Sequence, residues 1–303
     1  MVTYTKRFEE VAIEHMSQMS LSATSRLMLV SWKLLDDIVG RKVEDHLEKM
    51  DLSNVKCIRV DETSAKKHHK YITIITDVDS GDTIFITKGK DSSVMKEFSK
   101  WLSDYNGVLC NIELVATDFG EAFIRGTKEY FPKADSILDP FHLIQIANRH
   151  LDRDRASCQI NGERKKNIRY ALLKNPENLT DSEKEALLDF TKDHEKAAIS
   201  YQMKESLRQV FSYTRDECIL AKKHLEQWVE WAAEKGSGGF KALAKTVSRH
   251  LPDILRAIET GVNNGYQESL NSRVQLSKAL GKGYRKEMRL GRIVFFRDMY
   301  RTY

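Results

Sequence analysis

The sequence predicts an α/β fold, in which a mixed five-stranded sheet with flanking helices is interrupted by a large all-helical insertion and preceded by a helix-turn-helix. Three observations lead to this prediction. Short β-rich runs occupy residues 55–138 and alternate with helical patterns after the third run. Residues 141–260 are almost wholly helical in pattern. Residues 5–50 contain short helical patterns that begin after serines, which are favoured helix N-caps.

Composition sets the broad class of protein. The 303 residues are 41% hydrophobic, which is enough to bury a core in one large domain or two ordinary ones. No run approaches the roughly 18 apolar residues of a membrane span, and the first ten residues lack the apolar core of a signal peptide. We therefore expect a soluble cytoplasmic protein with no membrane partner.

The cysteines lie far apart and form no CxxC pair. They are Cys57, Cys110, Cys158 and Cys218. This spacing indicates neither a disulfide framework nor a structural zinc site. We expect reduced thiols in the core, where free cysteines are usually found.

The N-terminal segment predicts short helices. We expect them over Arg7–Gln18, Leu21–Met28 and Trp32–Val39, with caps at Ser20 or Ser22 and at Ser31. Two short helices joined by a tight turn suit a helix-turn-helix, whose second helix enters a major groove. A packing unit or a dimer contact would produce the same pattern.

The central segment predicts the sheet. Strands are expected at Val55–Asp61, Tyr71–Val78, Thr83–Thr87, Ile112–Thr117 and Ser136–Leu138, with helices at Ser92–Tyr105 and Glu121–Phe131. The first three strands form an antiparallel meander, with turn residues at Asp79–Asp82. Three strands followed by helix, strand, helix and strand is the element order of an RNase H-like fold.

The following helical region carries apolar stripes typical of a core. They are marked by Leu172, Leu173, Leu187, Leu188, Leu207, Val210, Phe211, Leu220, Leu225, Trp228 and Trp231. Thr180 and Glu183 form a capping box at one helix start. We divide the chain into a helix-turn-helix segment (1–52), the first part of the core (53–145), a helical insertion (146–260), and a final helix with a basic tail (261–303).

Basic charge is concentrated in two segments. Residues 271–303 carry nine Lys/Arg and two acids, and residues 147–170 carry seven Lys/Arg and three acids, whereas the whole chain has a net charge of only +5. A polyanion such as DNA would be drawn to these segments by phosphate contacts and counterion release. Solvated helix faces are the alternative explanation.

Three carboxylates are candidate metal ligands. Asp61 and Asp118 each follow an apolar strand, at or near its end, and the two strands are neighbours in the predicted sheet. Glu268 lies just inside a helix that begins near 263–265, where it shares a polar face with Asn271, Ser272 and Gln275. Such acids are also common as surface carboxylates or helix caps. Glu62 is the nearest rival to Asp61, but strand alternation points it to the opposite face.

Mg²⁺ or Mn²⁺ prefers hard oxygen ligands, and carboxylates from separate elements can hold two ions about 3.5–4 Å apart. Such a pair of ions supports in-line displacement at phosphorus without a covalent protein intermediate. A second polar cluster, Asp139–His142, follows the last strand and is a candidate for supporting the site. His68 and His69 are read as surface residues. No serine or cysteine nucleophile with a base and no GxxxxGK phosphate loop is apparent.

These residues resemble those of the DDE transposases of the ISL-three group of bacterial insertion sequences, from about Lys6 to Phe296. The resemblance is carried by Val60–Glu62, His69–Tyr71, Asp77, Gly81, Ala116–Asp118, Phe131–Pro132, Ala134, Asp139–His142, Leu173–Thr180, Asn264–Asn271 and Gly283–Arg285. So many ordered blocks are more specific than any single motif.

The resemblance implies an RNase H-like core interrupted by a helical insertion, a metal-binding triad of Asp61, Asp118 and Glu268, and terminal inverted repeats as the specific DNA. Asp139, His142 and Asn271 would support the site. Synapsis of two DNA ends implies a homo-oligomer. The candidate DNA contacts are Arg26, Lys33, Lys165, Lys166, Lys282, Arg285 and Lys286.

The sequence departs from the family pattern in two places. Members usually begin with a cysteine-rich zinc-binding segment, and this chain starts after its place, which predicts a truncated reading frame or an internal start. The block around Glu268 has Asn263 and Ser269 where Thr and Gly are common, and neither change removes a ligand. Two other functions remain open: a catalytically idle DNA-binding remnant, and a stand-alone RNase H-like nuclease.

Overall fold

The computed structural model describes residues 4–66, 70–117, 120–138, 140–158, 164–261, 274–281, 284 and 286–300. The chain divides into two compact units. The first comprises Met1–Ser136 with Asn264–Tyr303, and the second comprises Ile137–Asn263. Among the described residues, no helix has both the length and the apolar character needed to cross a membrane.

The first unit begins with three helices, α1 (Lys6–Gln18), α2 (Leu21–Met28) and α3 (Trp32–Leu47). The side chains of Ser20 and Ser31 accept hydrogen bonds from the first-turn backbone N–H groups of α2 and α3, so the predicted caps are confirmed. Between these helices Leu29 adopts a left-handed conformation, with φ of 54°. That conformation ends α2 and lets α3 begin only a few residues later.

The predicted mixed five-stranded sheet is present in this structure. Its strands are β1 (Cys57–Lys66), β2 (Lys70–Asp77), β3 (Thr83–Lys88), β4 (Leu114–Thr117) and β5 (Asp135–Leu138). Their order across the sheet is β3-β2-β1-β4-β5. β1 pairs antiparallel with β2 and parallel with β4, so β1 lies at the centre.

Helices cover both faces of the sheet. α4 (Ser93–Asp104) and α5 (Glu121–Tyr130) pack on the face that carries Ile58 and Val60 of β1. Phe98 of α4 and Phe123 of α5 belong to the same buried cluster. The other face carries Ile72 and Ile74 of β2. Its partners are Val274 of α13, helical over the described residues 274–281, and Leu290 and Val294 of α14 (Glu287–Met299). The alternation of a strand sends its apolar residues into both layers.

The second unit is helical beyond β5. It contains α6 (Pro140–Ala156), α7 (Arg164–Leu173), α8 (Asp181–Asp193), α9 (Glu195–Val210), α10 (Cys218–Lys235), α11 (Gly238–Arg249) and α12 (Leu251–Thr260). Trp228 is buried at its centre, and its indole N–H donates to the Met203 carbonyl at 2.8 Å. The predicted capping box of Thr180 and Glu183 is confirmed.

Two expectations about burial are wrong. Leu188 and Leu220, assigned to apolar stripes, are more than half exposed, because their neighbours Leu187 and Ala221 take the inward positions and adjacent helix residues point about 100° apart. The cysteines do not all lie in the core. Cys110 is exposed in the short turn before β4, and the other three are partly exposed.

The contact between α4 and α5 depends on a glycine. A Cβ on Gly126 would lie 2.6 Å from Cγ and 2.8 Å from Cβ of Met95. We expect Gly126→Ala to lower the free energy of unfolding by about 1–3 kcal/mol, because the helices must move apart. Gly238→Ala in α11 is the control, since a Cβ there meets nothing within 4 Å. Alanine at that position should be neutral or stabilising by up to about 1 kcal/mol. Urea titration measures both changes, and equal effects at the two positions would contradict this packing.

Candidate metal site and nucleic-acid surface

Asp61 lies inside the central strand, not at its end as predicted. β1 continues to Lys66 because it forms a hairpin with β2, in which Ser64 pairs with Tyr71. Over the described residues, the parallel pairing of β1 with β4 extends to Val60, which lies opposite Thr117. Asp61 is the next residue of β1 and is paired with β2 on its other side.

The side chain of Asp61 belongs to the face of the sheet that α13 and α14 cover. Asp61 is paired with Ile74 across the antiparallel ladder, and directly opposed residues share a face. Ile74 packs against Val274 of α13. Asp61 is 7% exposed. Burying a carboxylate is costly unless it is paired, hydrogen-bonded or bound to a metal, so such a position in a strand calls for a specific role.

Asp118 lies outside the described residues, but its neighbour in the chain does not. Thr117 is the last residue of β4, is almost fully buried, and pairs with Val60. The residues that directly precede Asp61 and Asp118 in the chain are therefore partners in the parallel ladder. Neighbouring strands lie about 4.8 Å apart.

Glu268 and Asn271 also lie outside the described residues. The described part of α13 begins at Val274, six positions after Glu268 in the sequence. Of the polar face predicted around Glu268, only Gln275 is described, and it is exposed. Val274 places α13 on the same face of the sheet as Asp61.

The neighbouring acid has a different environment, as alternation predicts. Glu62 is partly exposed, and its carboxylate lies 3.9 Å from the ammonium group of Lys90. It pairs with Thr73, whose hydroxyl donates to the Gly89 carbonyl at 2.8 Å. Glu62 is therefore a suitable control for Asp61.

Of the three proposed ligands, Asp61 alone is described, and its carboxylate suits a hard divalent cation. Within the part of the chain that the structure describes, no group of three or more His, Cys, Asp or Glu residues could hold a metal ion. Asp61 belongs to that part of the chain, whereas Asp118 and Glu268 do not. A buried carboxylate on a rigid central strand is an oxygen ligand of the kind that Mg²⁺ and Mn²⁺ prefer.

The second polar cluster falls in the helical unit. His142 lies in the first turn of α6 and is partly exposed, while Asp139 lies outside the described residues. Their proposed support of the site stays a prediction.

The candidate DNA contacts whose side chains are described lie on the surface. Arg26 on α2, Lys33 on α3 and Lys286 at the start of α14 are exposed. The backbone of Lys165 and Lys166 belongs to α7, but their side chains are not described. Lys282 and Arg285 lie outside the described residues.

A junction between α3 and α14 was not anticipated from the sequence. Asp36 accepts ion-pair contacts from Arg289 at 3.1 Å and Arg292 at 2.9 Å. Arg289 also lies over the ring of Trp32, 4.8 Å from its centroid, while the indole remains 51% exposed. The signal in the sequence was the excess of arginines in α14, which charge counting assigned to DNA contact or to a solvated helix face. Here two of them also hold the first turns of α3 in place.

Arg297 corrects the interpretation of the C-terminal basic segment. It was counted among the surface cations, but it is only 9% exposed. Its guanidinium donates to the hydroxyl of Ser277 and to the carbonyls of Met16 and Met19. Burial lowers its pKa from the usual value for arginine. A count of charges could not reveal the burial of Arg297. The available signal was the apolar run Ile293–Phe296, which is typical of a helix buried on several sides.

Arg59 is a further buried cation that sequence reasoning missed. It lies two residues before Asp61 on β1, and alternation places both on the same face of the sheet. It is nearly buried. A basic residue at an alternate position of an otherwise apolar strand was the available signal.

Comparison with known proteins establishes the family. A family model described as Transposase, that of the DDE transposases of the ISL-three group, matches residues 58–292. Because this match covers most of the chain, the chain belongs to that transposase family.

Two relatives are insertion-sequence proteins. The transposase for insertion sequence element IS1557 of Mycobacterium tuberculosis is 29% identical over 300 aligned positions, covering 89% of this chain and 66% of that protein. The transposase for insertion sequence element IS1001 of Bordetella parapertussis is 22% identical over 291 positions, covering 93% of this chain and 71% of that protein. The chain thus spans 66% of the length of the IS1557 relative.

Replacing a buried cation of the C-terminal segment should affect stability more than replacing an exposed one. Arg297→Met leaves the carbonyls of Met16 and Met19 without their donor in a buried site, so we expect a loss of about 2–4 kcal/mol in the free energy of unfolding. Lys286→Met changes an exposed side chain and should alter it by less than about 0.5 kcal/mol. Urea denaturation measures both. A wild-type stability in Arg297→Met would contradict the buried contacts.

Proposed function

We propose that this chain is the catalytic part of a DNA transposase, which cleaves DNA at the terminal inverted repeats of an insertion sequence and joins the ends to a target. Asp61, Asp118 and Glu268 are the proposed metal-binding triad, Mg²⁺ or Mn²⁺ the proposed cofactor, and the RNase H-like fold the proposed architecture of the core. Asp139, His142 and Asn271 are proposed to support the site.

One observation carries this proposal. The pairing of Val60 with Thr117 joins the residues that precede two of the three carboxylates, and the buried Asp61 side chain shares its sheet face with α13, the helix that follows Glu268 in the chain. Three segments that lie next to or near the proposed acids in the sequence thus belong to one region of one unit, which supports the proposal. Family membership supports the same assignment.

The residues of the chain perform distinct tasks in this proposal. The central strand holds the Asp61 carboxylate in a fixed position, since β1 is hydrogen-bonded to strands on both sides. Burial of Asp61 limits competition from water for its oxygens. When bound, the divalent ions would activate the attacking water or 3′-hydroxyl and stabilise the leaving oxygen in an in-line displacement at phosphorus.

The DNA surface is proposed from the exposed cations. α2 and α3 suit a helix-turn-helix, with Arg26 and Lys33 exposed on them, and Lys286 adds a cation at the start of α14. Lys165, Lys166, Lys282 and Arg285 are proposed as further phosphate contacts. We keep the boundaries 1–52, 53–145, 146–260 and 261–303 for the functional segments. A homo-oligomer would synapse two ends in the bacterial cytoplasm.

The decisive experiment compares two adjacent acids on β1. We expect Asp61→Asn to abolish Mg²⁺- or Mn²⁺-dependent nicking of DNA that carries the element's terminal repeats, with a loss of at least about a thousandfold, while binding of that DNA persists. Glu62→Gln is the matched control, because its side chain lies on the opposite face near Lys90. It should retain cleavage within a few fold.

Other outcomes identify the alternatives. Binding of the repeats without nicking by the unmodified chain would indicate an idle remnant. Cleavage of hairpin, branched or RNA–DNA hybrid substrates in preference to the repeats would indicate a stand-alone nuclease. Retained nicking in Asp61→Asn, or in Asp118→Asn or Glu268→Gln, would remove that residue from the triad.

A further inference from the structure

Three large apolar side chains are exposed around the turn between α2 and α3. Leu27 is 57% exposed, Leu29 91% and Trp32 51%. Leu29 and Trp32 are three positions apart, so their Cα atoms lie within about 11 Å of each other. Single exposed apolar residues are ordinary on a protein surface, whereas a group of them marks a contact with a partner. The turn between α2 and α3 is therefore a candidate contact surface.

The backbone at Leu29 is unfavourable for a leucine. Its φ of 54° lies in the left-handed region, where the Cβ of an L-residue crowds the backbone and glycine is favoured. The hydrogen bond that ends α2 needs only the backbone N–H of Leu29, which donates to the Ser25 carbonyl. The leucine side chain thus adds strain and buries little apolar area in the free chain. A contact made in a complex would account for both features.

The Trp32 ring is held in place although half of it is exposed. The guanidinium of Arg289 lies over the ring, 4.8 Å from its centroid, and an ion pair with Asp36 at 3.1 Å holds Arg289. Arg292 contacts the same carboxylate at 2.9 Å. An aromatic side chain that is fixed before binding loses little conformational entropy when it binds. Trp32 is thus suited to be a rigid contact residue.

The charges around this surface favour a polyanion as the partner. Arg26 and Lys33 are exposed beside the apolar residues, and Arg289 supplies a third cation. Asp36 and Asp37 are the acids in the first two turns of α3, and Asp36 is paired with arginine. DNA is the partner that uses both kinds of group, because its phosphates attract cations and its bases offer apolar contacts.

α3 suits DNA at its N-terminal end. Toward its C-terminal end the exposed side chains include Glu44, Asp45 and Glu48, which would repel phosphates. An approach by the N-terminal end agrees with helix-turn-helix geometry, in which the first residues of the second helix contact base edges. Trp32 is the first residue of α3, and Leu29 lies just ahead of it. Both would therefore face the bases.

We propose that Leu29 and Trp32 read thymine by contact with its 5-methyl group in the major groove of the terminal repeats. This methyl group distinguishes thymine on the major-groove edge, and apolar side chains recognise it. Arg26 and Lys33 contact the adjacent phosphates and set the affinity, whereas the apolar pair sets the preference for thymine at the contacted positions. This inference rests on the proposed function, and specifically on DNA binding through α2 and α3.

The test compares repeat DNA with the same duplex in which deoxyuridine replaces every thymidine, so that only methyl groups are removed. Binding is measured by fluorescence anisotropy in a chelator, which prevents cleavage. We expect the unmodified chain to bind the thymine duplex about fourfold more tightly for each methyl group contacted, hence roughly fifteenfold for two. Leu29→Gly and Trp32→Ala should each lower this ratio about fourfold.

Two features keep this result separate from a folding defect. Leu29→Gly should keep or raise the melting temperature, because glycine relieves the strained backbone. Leu188→Ala is the matched control, since Leu188 is also 57% exposed but lies on α8 of the other unit. It should leave the ratio unchanged. Lys33→Ala should weaken binding of both duplexes equally, as expected for a phosphate contact.

The remaining outcomes overturn the inference in distinguishable ways. Tight binding of both duplexes with a ratio near one would remove the thymine contact and leave the proposed function standing. An unchanged ratio in Leu29→Gly and Trp32→Ala would do the same. Loss of self-association in Leu29→Gly, measured by sedimentation velocity with the ratio unchanged, would assign the turn to a second copy of the chain. If the unmodified chain binds neither duplex more tightly than unrelated DNA, the proposed function itself fails.

Discussion

The packing of α14 on the sheet is the interaction on which the rest of the first unit depends. Leu290 and Val294 cover Ile72 and Ile74 of β2. The approach is close, because a Cβ on Gly291 would lie 2.8 Å from the side chain of Ile86 on β3. In this position α14 also contacts α1, α3 and α13. A helix near the end of the chain therefore holds the N-terminal helices against the sheet.

That packing creates two very different environments for charge. On the inner side of α14, Arg297 is buried among neutral acceptors, and on the sheet beneath, Arg59 and Asp61 share a covered face. At its outer edge, Arg289 contacts Asp36 and the exposed ring of Trp32. Basic residues that look alike in a charge count thus divide between buried residues, which support the fold, and residues at the surface. Only the surface set is available for the DNA contacts that we propose.

The elements of the fold were predictable because their signals are local. The β-branched residues of Tyr71–Val78, the turn residues at Asp79–Asp82 and the serines at helix starts all act within a few residues. The length of β1 was not predictable, since β1 continues past Asp61 through its hairpin with β2. The burial of Arg297 depends on Met16, Met19 and Ser277, which lie far away in the sequence. The acids were found as candidates by position and by resemblance, while the proposal that they form one site rests on the order of the strands.

The central claim is that Asp61 belongs to a divalent metal site together with the chain after β4 and the chain before α13. Iron-dependent cleavage tests it most directly: Fe²⁺ replaces Mg²⁺, and with ascorbate and peroxide it generates hydroxyl radicals that cut the backbone near the ion. Fragment masses should place cuts beside Asp61, just after Thr117, and between Gly261 and Val274, all suppressed by excess Mg²⁺. Cuts confined to other parts of the chain, or cuts that Mg²⁺ does not suppress, would contradict the site.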